Sequence, residues 1–399
     1  MKRMFILLLA ALFLALATSC DPEQEEQERQ VLLVYFAGNN SLSSEGAGDL
    51  QEIKENWLPA TKERRKIVLV YHHFVNETPQ LLRLSRDNRG NTVEEIIMEY
   101  PATTNSADTK TLGAVLADAR NAWPAAHWGL ILWSHGSGFL PPGYYANPKE
   151  STSDDPVFLD PDPYADMVKS DEPVKSFAEQ NDSEMDIIDL RKVLSSAHYD
   201  FILFDACLMA NVEVAYELRN CTDYLLFSPT EILSDGFPYK SMMQPIFTLQ
   251  PAEAMLSIAH SYMNHYRSLS GTYQSATIAL VRTQYMPQLA EACRPIFQRH
   301  QEQILTLDRS QVQPYFRYSK HWFYDIDDFV GQVADSAEMA PFSSALNNVV
   351  IFKDTTPHFL DIDFNHYSGL SIYIPRAEYT VLNNYYKTLG WNQATGLVK

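Results

Sequence analysis

Two apolar runs in this chain each end in a reactive side chain, and no other feature constrains the fold as tightly. Leu130-Ile131-Leu132-Trp133 leads into Ser134-His135-Gly136, and Phe201-Ile202-Leu203-Phe204 leads into Asp205-Ala206-Cys207. Short continuous apolar runs read as strands covered on both faces, the pattern of a parallel sheet packed between helices. In such a sheet the carboxyl ends of the strands border the ligand crevice, so two neighbouring ends bring an imidazole and a thiol together. A free thiol, with a pKa of about 8.5, is mostly protonated at neutral pH and needs help to become the attacking thiolate. Two sources of help are expected: His135 as proton acceptor, and the positive end of a helix opened by Cys207. The oxyanion that forms on attack at a carbonyl needs converging N–H donors, and the N–H groups of Gly136 and Cys207 are the natural candidates.

The N-terminus carries a processing signal. Lys2 and Arg3 precede Met4 to Ala17, a run almost wholly apolar but short of the roughly 20 residues that span a bilayer. Small residues then lead to Cys20, the pattern of a bacterial lipobox, so residues 1–19 are expected to be removed and Cys20 lipidated. Residues 20–30, rich in Glu and Gln, are expected to form a disordered acidic tether. The whole chain has a formal charge of −19 and becomes more negative when Lys2 and Arg3 leave. That field disfavours nucleic acid and anionic membrane surfaces and attracts cationic partners. Only four cysteines are present, too few for a disulfide framework. If Cys221 pairs with Cys293, Cys207 is left as a free thiol; the sequence leaves that pairing open.

Residues 31–399 read as one compact α/β unit with a closely packed C-terminal part. Strands are expected at Val31 to Phe36, Lys66 to Tyr71, Tyr224 to Phe227, Ala276 to Val281, Val349 to Phe352 and Leu370 to Ile374. Leu81 to Arg86 and Val93 to Tyr100 suggest a hairpin. Helical spacing covers Leu112 to Trp123, Leu208 to Leu218, about 239 to 268 and 284 to 305, and Asp325 to Val333. Strands alternating with helices imply a mostly parallel central sheet flanked by helices. Residues 140–184 break the pattern, being rich in Pro, Asp, Ser and Glu without periodicity. A structureless stretch of that length inside a domain is usually functional or disordered. Because it joins the His135 strand to the Cys207 strand, it is expected to act as a lid or activation segment.

Other chemistries fit less well. The chain has no Cys-x-x-Cys, no His-Glu-x-x-His and no calcium-loop spacing. No cofactor is required on this reading. Calcium remains possible through Asp154-Asp155, Asp160 to Asp166 or Asp361-Ile362-Asp363, although a solvated acidic surface explains these better. His135-Gly136-Ser137-Gly138 is similar to the oxyanion loop of serine esterases, but the Gly-x-Ser-x-Gly elbow that class needs is missing. His72 and His73 follow a strand and are the other histidines placed to approach the site.

Taken together, these segments resemble the clostripain family of cysteine peptidases, members of the caspase-like clan. The likeness rests on Val34 to Leu42, Pro124 to Gly138, and Phe204-Asp205-Ala206-Cys207-Leu208-Met209-Ala210 with Val212 to Leu218. It continues through Ser228 to Tyr239, Asp325 to Phe329 and Ser368 to Pro375. The resemblance implies a caspase-like sandwich, His135 as general base and acid, and Cys207 as nucleophile. It also implies cleavage after Arg or Lys, with Asp205 and Asp235 holding the basic P1 side chain. Activation by a cut between the His and Cys segments is implied too, at Lys149, Lys169 or Lys175. The expected protein is thus an exported, lipid-anchored cysteine endopeptidase at the outer membrane or cell surface, acting on protein or peptide substrates. The alternative is a non-catalytic surface lipoprotein that uses the same cleft for binding.

Overall fold

The computed structural model describes residues 22–145, 164, 167–168, 177–180, 183–317 and 322–399. Cys20, Lys149, Lys169 and Lys175 lie outside the described residues, as do Asp154-Asp155 and the aspartates of Asp160 to Asp166. The centre is a nine-stranded sheet. Its strands are β1 (Gln30–Gly38), β2 (Lys66–Phe74), β3 (Gln80–Arg86), β4 (Thr92–Glu99), β5 (His127–Trp133), β8 (Tyr199–Asp205), β9 (Thr222–Phe227), β10 (Thr277–Arg282) and β12 (Val350–Thr355). Two short strands, β6 (Phe177–Gln180) and β7 (Ser183–Met185), form a hairpin outside it, and β11 (Tyr324–Asp325) pairs with Ser371–Ile372 in a separate ribbon.

In space the order is β12-β10-β9-β8-β5-β1-β2-β3-β4. The middle five, β9-β8-β5-β1-β2, are parallel, and an antiparallel pair is added at each edge. The parallel core follows from Val31-Leu32-Leu33-Val34-Tyr35-Phe36 and its counterparts, whose residues are buried on both faces. Two separate groups of helices cover those faces. The helix Ser43–Glu55 packs on Tyr239–Thr248, which packs on Pro251–Ser268; the second group includes Thr109–Ala122, Ile187–Leu194, Val212–Leu218, Met286–Arg299 and Ser336–Val349. In Ser43–Glu55 the buried positions Gly46, Asp49, Leu50 and Ile53 repeat at helical spacing.

Strand order reverses between β1 and β5: from β1 the chain goes to β2 on one side and later returns to β5 on the other. Such a switch point opens a crevice at the carboxyl ends. The register levels the ends, pairing Phe36 with Trp133 and Trp133 with Asp205. His135 and Cys207 therefore both lie two residues beyond one row of the sheet.

Several expectations change. Residues 22–28 form a helix rather than a disordered tether, because Arg29 holds that end down. Its guanidinium bonds the carbonyls of Arg64 and Pro124 and lies 5.6 Å from the Trp123 ring. Cys207, Cys221 and Cys293 are buried and none forms a disulfide with another, so the Cys221–Cys293 bridge is absent. The end of the 140–184 segment is ordered as β6 and the start of β7. Of the strand expected at Leu370 to Ile374, Ser371–Ile372 forms and pairs with β11 in the small ribbon. Among the described residues no helix is long and apolar enough to cross a membrane.

Candidate active site

Three loops meet at the switch point. The turn after β1 is shaped by Asn40, whose Oδ1 accepts from Leu42 N (3.0 Å) while its Nδ2 donates to Ala37 O (3.1 Å). This Asx-type closure aims Ser41 across the crevice, and Ser41 Oγ lies 3.0 Å from His135 Nε2. The loop after β5 is tied to its neighbours by Ser134, whose hydroxyl donates to Ala37 O (2.8 Å) and whose N–H donates to Asp205 O (3.4 Å). Gly136 is required by the close approach: a Cβ there would stand 2.6 Å from Cys207 O, 3.0 Å from Ala206 Cβ and 3.0 Å from Met209 Sδ. The His and Cys strand ends thus run side by side, and both His135 and Cys207 are fully buried.

Cys207 does not open a helix. Leu208 adopts φ +60°, the chain turns, and Asn211 caps a helix that begins only at Val212 by accepting from Val214 N at 3.0 Å. The expected helix dipole is therefore displaced from the sulfur. In its place the backbone N–H of Ile232 donates to Cys207 Sγ at 3.3 Å. That contact is built by pairing beyond the strand ends, with Leu208 N bonded to Thr230 O and Ala210 N to Ser228 O, each at 2.9 Å.

A strap from the 140–184 segment lies over the His loop. Phe177 bridges Gly136 in antiparallel fashion, and Ala178 N donates to His135 O at 3.2 Å. Ala178 holds φ +62°, unusual for a residue with a Cβ. Glu179 Oε2 is 3.9 Å from His135 Nε2, and its carbonyl accepts from Asn40 Nδ2 at 3.0 Å. Gln180 anchors the strap further, accepting from Ser106 N (2.8 Å) and donating to Thr104 O (3.0 Å).

The two aspartates assigned to the P1 pocket occupy different settings. Asp205 is fully buried and accepts from Tyr239 OH at 3.2 Å. Burial, reinforced by Asp205, pushes the Tyr239 phenol well above its ordinary pKa. Asp235 is exposed, sits 3.5 Å from His265, and lines a cavity of about 480 Å³ with Glu45, Asp49, Glu52 and Lys240. Asp49 also accepts from Trp133 Nε1 at 2.7 Å. His73 is buried, and its Nε2 lies 3.1 Å from Asn39 Nδ2 in the β1 turn, with its Nδ1 2.8 Å from Ser106 Oγ. Burial, with a contribution from His72, lowers its pKa to about 4, so it supports that turn as a neutral ring. Among the described residues no group of three His, Cys, Asp or Glu converges on a metal-sized site.

Sequence reasoning missed Ser41, Glu179 and Ile232. Ser41 lies within Val34 to Leu42 with no motif that marks its side chain, and Glu179 lies in a stretch distinguished only by composition. Ile232 acts through its backbone, which leaves no side-chain signature.

A thiol and an imidazole at adjacent ends of a parallel α/β sheet make a candidate cysteine peptidase site. The Clostripain family model matches residues 34–156 and 164–396, and the chain belongs to that family. The solved structure of an inactive zymogen C11 protease from Parabacteroides distasonis is 32% identical, with 92% of this chain and 97% of that one covered and a TM-score of 0.73. A secreted C11 cysteine protease from Bacteroides thetaiotaomicron, solved with an irreversible peptide inhibitor, is 28% identical, with 92% and 99% covered and a TM-score of 0.76. A B. fragilis cysteine protease is 31% identical over 56% of this chain and all of its own, with a TM-score of 0.51. No curated protein matches significantly.

Glu213, in the helix that follows Cys207, is fully buried. Its Oε1 accepts from Tyr373 N (3.0 Å) and Tyr386 OH (2.5 Å), while Oε2 has no partner among the described residues. Burial raises its pKa from 4.5 to about 7. The folded state therefore holds a proton that the unfolded chain releases first, and stability falls as pH rises from about 4.5 to 7 and stays lower above that. At 1.36 kcal/mol per unit the loss is about 3 kcal/mol. Glu213→Gln should raise the melting temperature relative to wild type at pH 8 and much less at pH 5. An equal difference at both pH values would show that Glu213 does not titrate with unfolding.

Proposed function

We propose that the protein is an exported, lipid-anchored endopeptidase that cleaves after Arg or Lys through Cys207 and His135. The observation that carries this reading is the level placement of the two residues at the ends of β8 and β5, with Gly136 packed against the Cys207 carbonyl. In the reaction the Cys207 thiolate attacks the scissile carbonyl carbon, and the carbonyl π electrons move onto oxygen. Collapse of that tetrahedral species expels the amine, which takes a proton from the His135 imidazolium. A thioester remains; His135 removes a proton from water, which attacks the thioester and releases the acid and the thiolate. Gly136 and Cys207 N–H groups are assigned to the oxyanion.

The basic P1 side chain is assigned to the acidic cavity beside the Ser228–Leu233 loop. Asp235 lines it three residues after Ile232, and Glu45, Asp49 and Glu52 add carboxylates that outnumber Lys240. A guanidinium or ammonium taken from water needs such partners. Asp205, behind Tyr239, is assigned to the inner wall. Export is supported by the secreted relative, and the anchor by Cys20 following small residues.

The strap supports a zymogen reading. It occupies the crevice mouth, places Glu179 against His135, and belongs to the segment that carries Lys149, Lys169 and Lys175. The relative described as an inactive zymogen is consistent with this. A cut before the strap would release one of its ends.

The test is hydrolysis of fluorogenic peptides bearing Arg, Lys, Asp, Asn or Leu at P1, before and after limited nicking between residues 146 and 176. Cleavage after Arg and Lys alone, increasing at least tenfold on nicking, is the expected result. Cleavage after Asp or Asn would overturn the acidic-pocket assignment. Silence on every substrate after nicking would favour the binding lipoprotein.

A further inference from the structure

We propose that Glu231 and Arg317 are positioning residues for the nucleophile, holding the Ile232 N–H against Cys207 Sγ. The inference rests on Cys207 being the nucleophile. With the helix start displaced to Val212, the sulfur needs another source of positive potential, and the Ile232 N–H at 3.3 Å supplies one. That donor lies in an irregular loop after β9, two residues past Thr230, where backbone pairing with the Cys turn is seen, so that pairing alone does not fix its direction.

What fixes it is the peptide unit joining Glu231 to Ile232. A peptide is planar, so holding its Cα substituent and its carbonyl sets where its N–H points. The carbonyl of Glu231 accepts from Thr230 Oγ1 at 3.0 Å, and that hydroxyl is itself 2.7 Å from Thr277 Oγ1. The side chain of Glu231 is gripped by Arg317 in a forked pair, Oε2 to Nε at 2.6 Å and Oε1 to Nη2 at 3.1 Å. Both side chains are essentially free of solvent, at 0% and 1% exposure. A buried ion pair is a poor route to stability, because desolvation offsets most of the attraction. Its forked geometry instead defines position and orientation together. Arg317 also lies 5.5 Å from the ring of Tyr164, so the same guanidinium reaches the segment joining the His and Cys strands.

The test measures two pH profiles in the active peptidase: kcat/KM on an Arg or Lys substrate, and the rate of Cys207 alkylation by iodoacetamide. Glu231→Gln should move the acid limb of both upward by about one pH unit, roughly a tenfold loss of rate below the limb, with KM little changed. Because a single removal leaves a buried uncompensated charge, the apolar double variant Glu231→Met with Arg317→Leu provides a second folded test and should show the same shift. An unchanged midpoint in either variant with a wild-type melting profile would overturn the proposal. A wild-type alkylation midpoint at the ordinary thiol value of about 8.5 would instead overturn the reading of Cys207 as an activated nucleophile.

Discussion

Cys207→Ala is expected to lower kcat/KM on basic P1 substrates by more than about 10⁴-fold while leaving the fold in place. The side chain lost is small, and the surrounding backbone is held independently by the Leu208–Thr230 and Ala210–Ser228 bonds. His135→Ala should cost a comparable factor, because a thiol without its base is a weak nucleophile and the amine then leaves without a proton donor. The double variant should be no worse than either single one, since the two groups act as a unit and their losses do not add. Single-turnover mass spectrometry gives the second readout: the wild type should accumulate a thioester on Cys207, and neither variant should. Activity in Cys207→Ala within tenfold of wild type would remove Cys207 from the reaction.

The second large effect should come from a residue with no functional group at all. Gly136→Ala places a methyl 2.6 Å from the Cys207 carbonyl oxygen, a backbone atom that cannot swing aside. Relief requires the His loop and the Cys turn to separate by several tenths of an ångström or more. Misplacement of reacting groups on the scale of 1 Å costs about 100-fold, so kcat should fall by a factor approaching that. Binding of a P1 Arg or Lys inhibitor should weaken far less, since the acidic cavity is lined by Glu45, Asp49, Glu52 and Asp235, away from the new methyl. Wild-type kcat in a well-folded Gly136→Ala enzyme would mean that the close packing is dispensable.

Much of this architecture was legible in the chain because the central strands are buried on both faces and advertise themselves as unbroken apolar runs. Val31 to Phe36, Leu130 to Trp133 and Phe201 to Phe204 could hardly be anything else, and the reactive residues follow them directly. The hairpin of β3 and β4 was equally plain from Asp87-Asn88-Arg89-Gly90. The turn after Cys207 was misread because Leu208, Val212, Ala215 and Leu218 keep helical spacing, whereas the left-handed Leu208 ends the regular backbone there. No rule of propensity assigns that conformation to leucine; pairing of Leu208 and Ala210 with the Ser228–Thr230 loop imposes it. The strap was hidden for a related reason. Its strand is only Phe177–Gln180, and its partners, Gly136, Asn40 and Ser106, are remote in sequence. Contacts of that kind are written in the folded arrangement and not in the periodicity of any one segment.

The pairing of β5 with β8 has a consequence for what a cut chain becomes. These neighbours sit in the middle of the nine-stranded sheet, joined by the register Gly129–Trp133 with Phe201–Asp205. Scission of that connection yields two polypeptides, yet separating them would mean tearing the sheet along its centre and exposing both apolar faces. The fragments should therefore run as two bands under denaturing conditions and as one species in gel filtration. Dilution alone should not part them, so a molecule once cut would stay assembled for the lifetime of its fold.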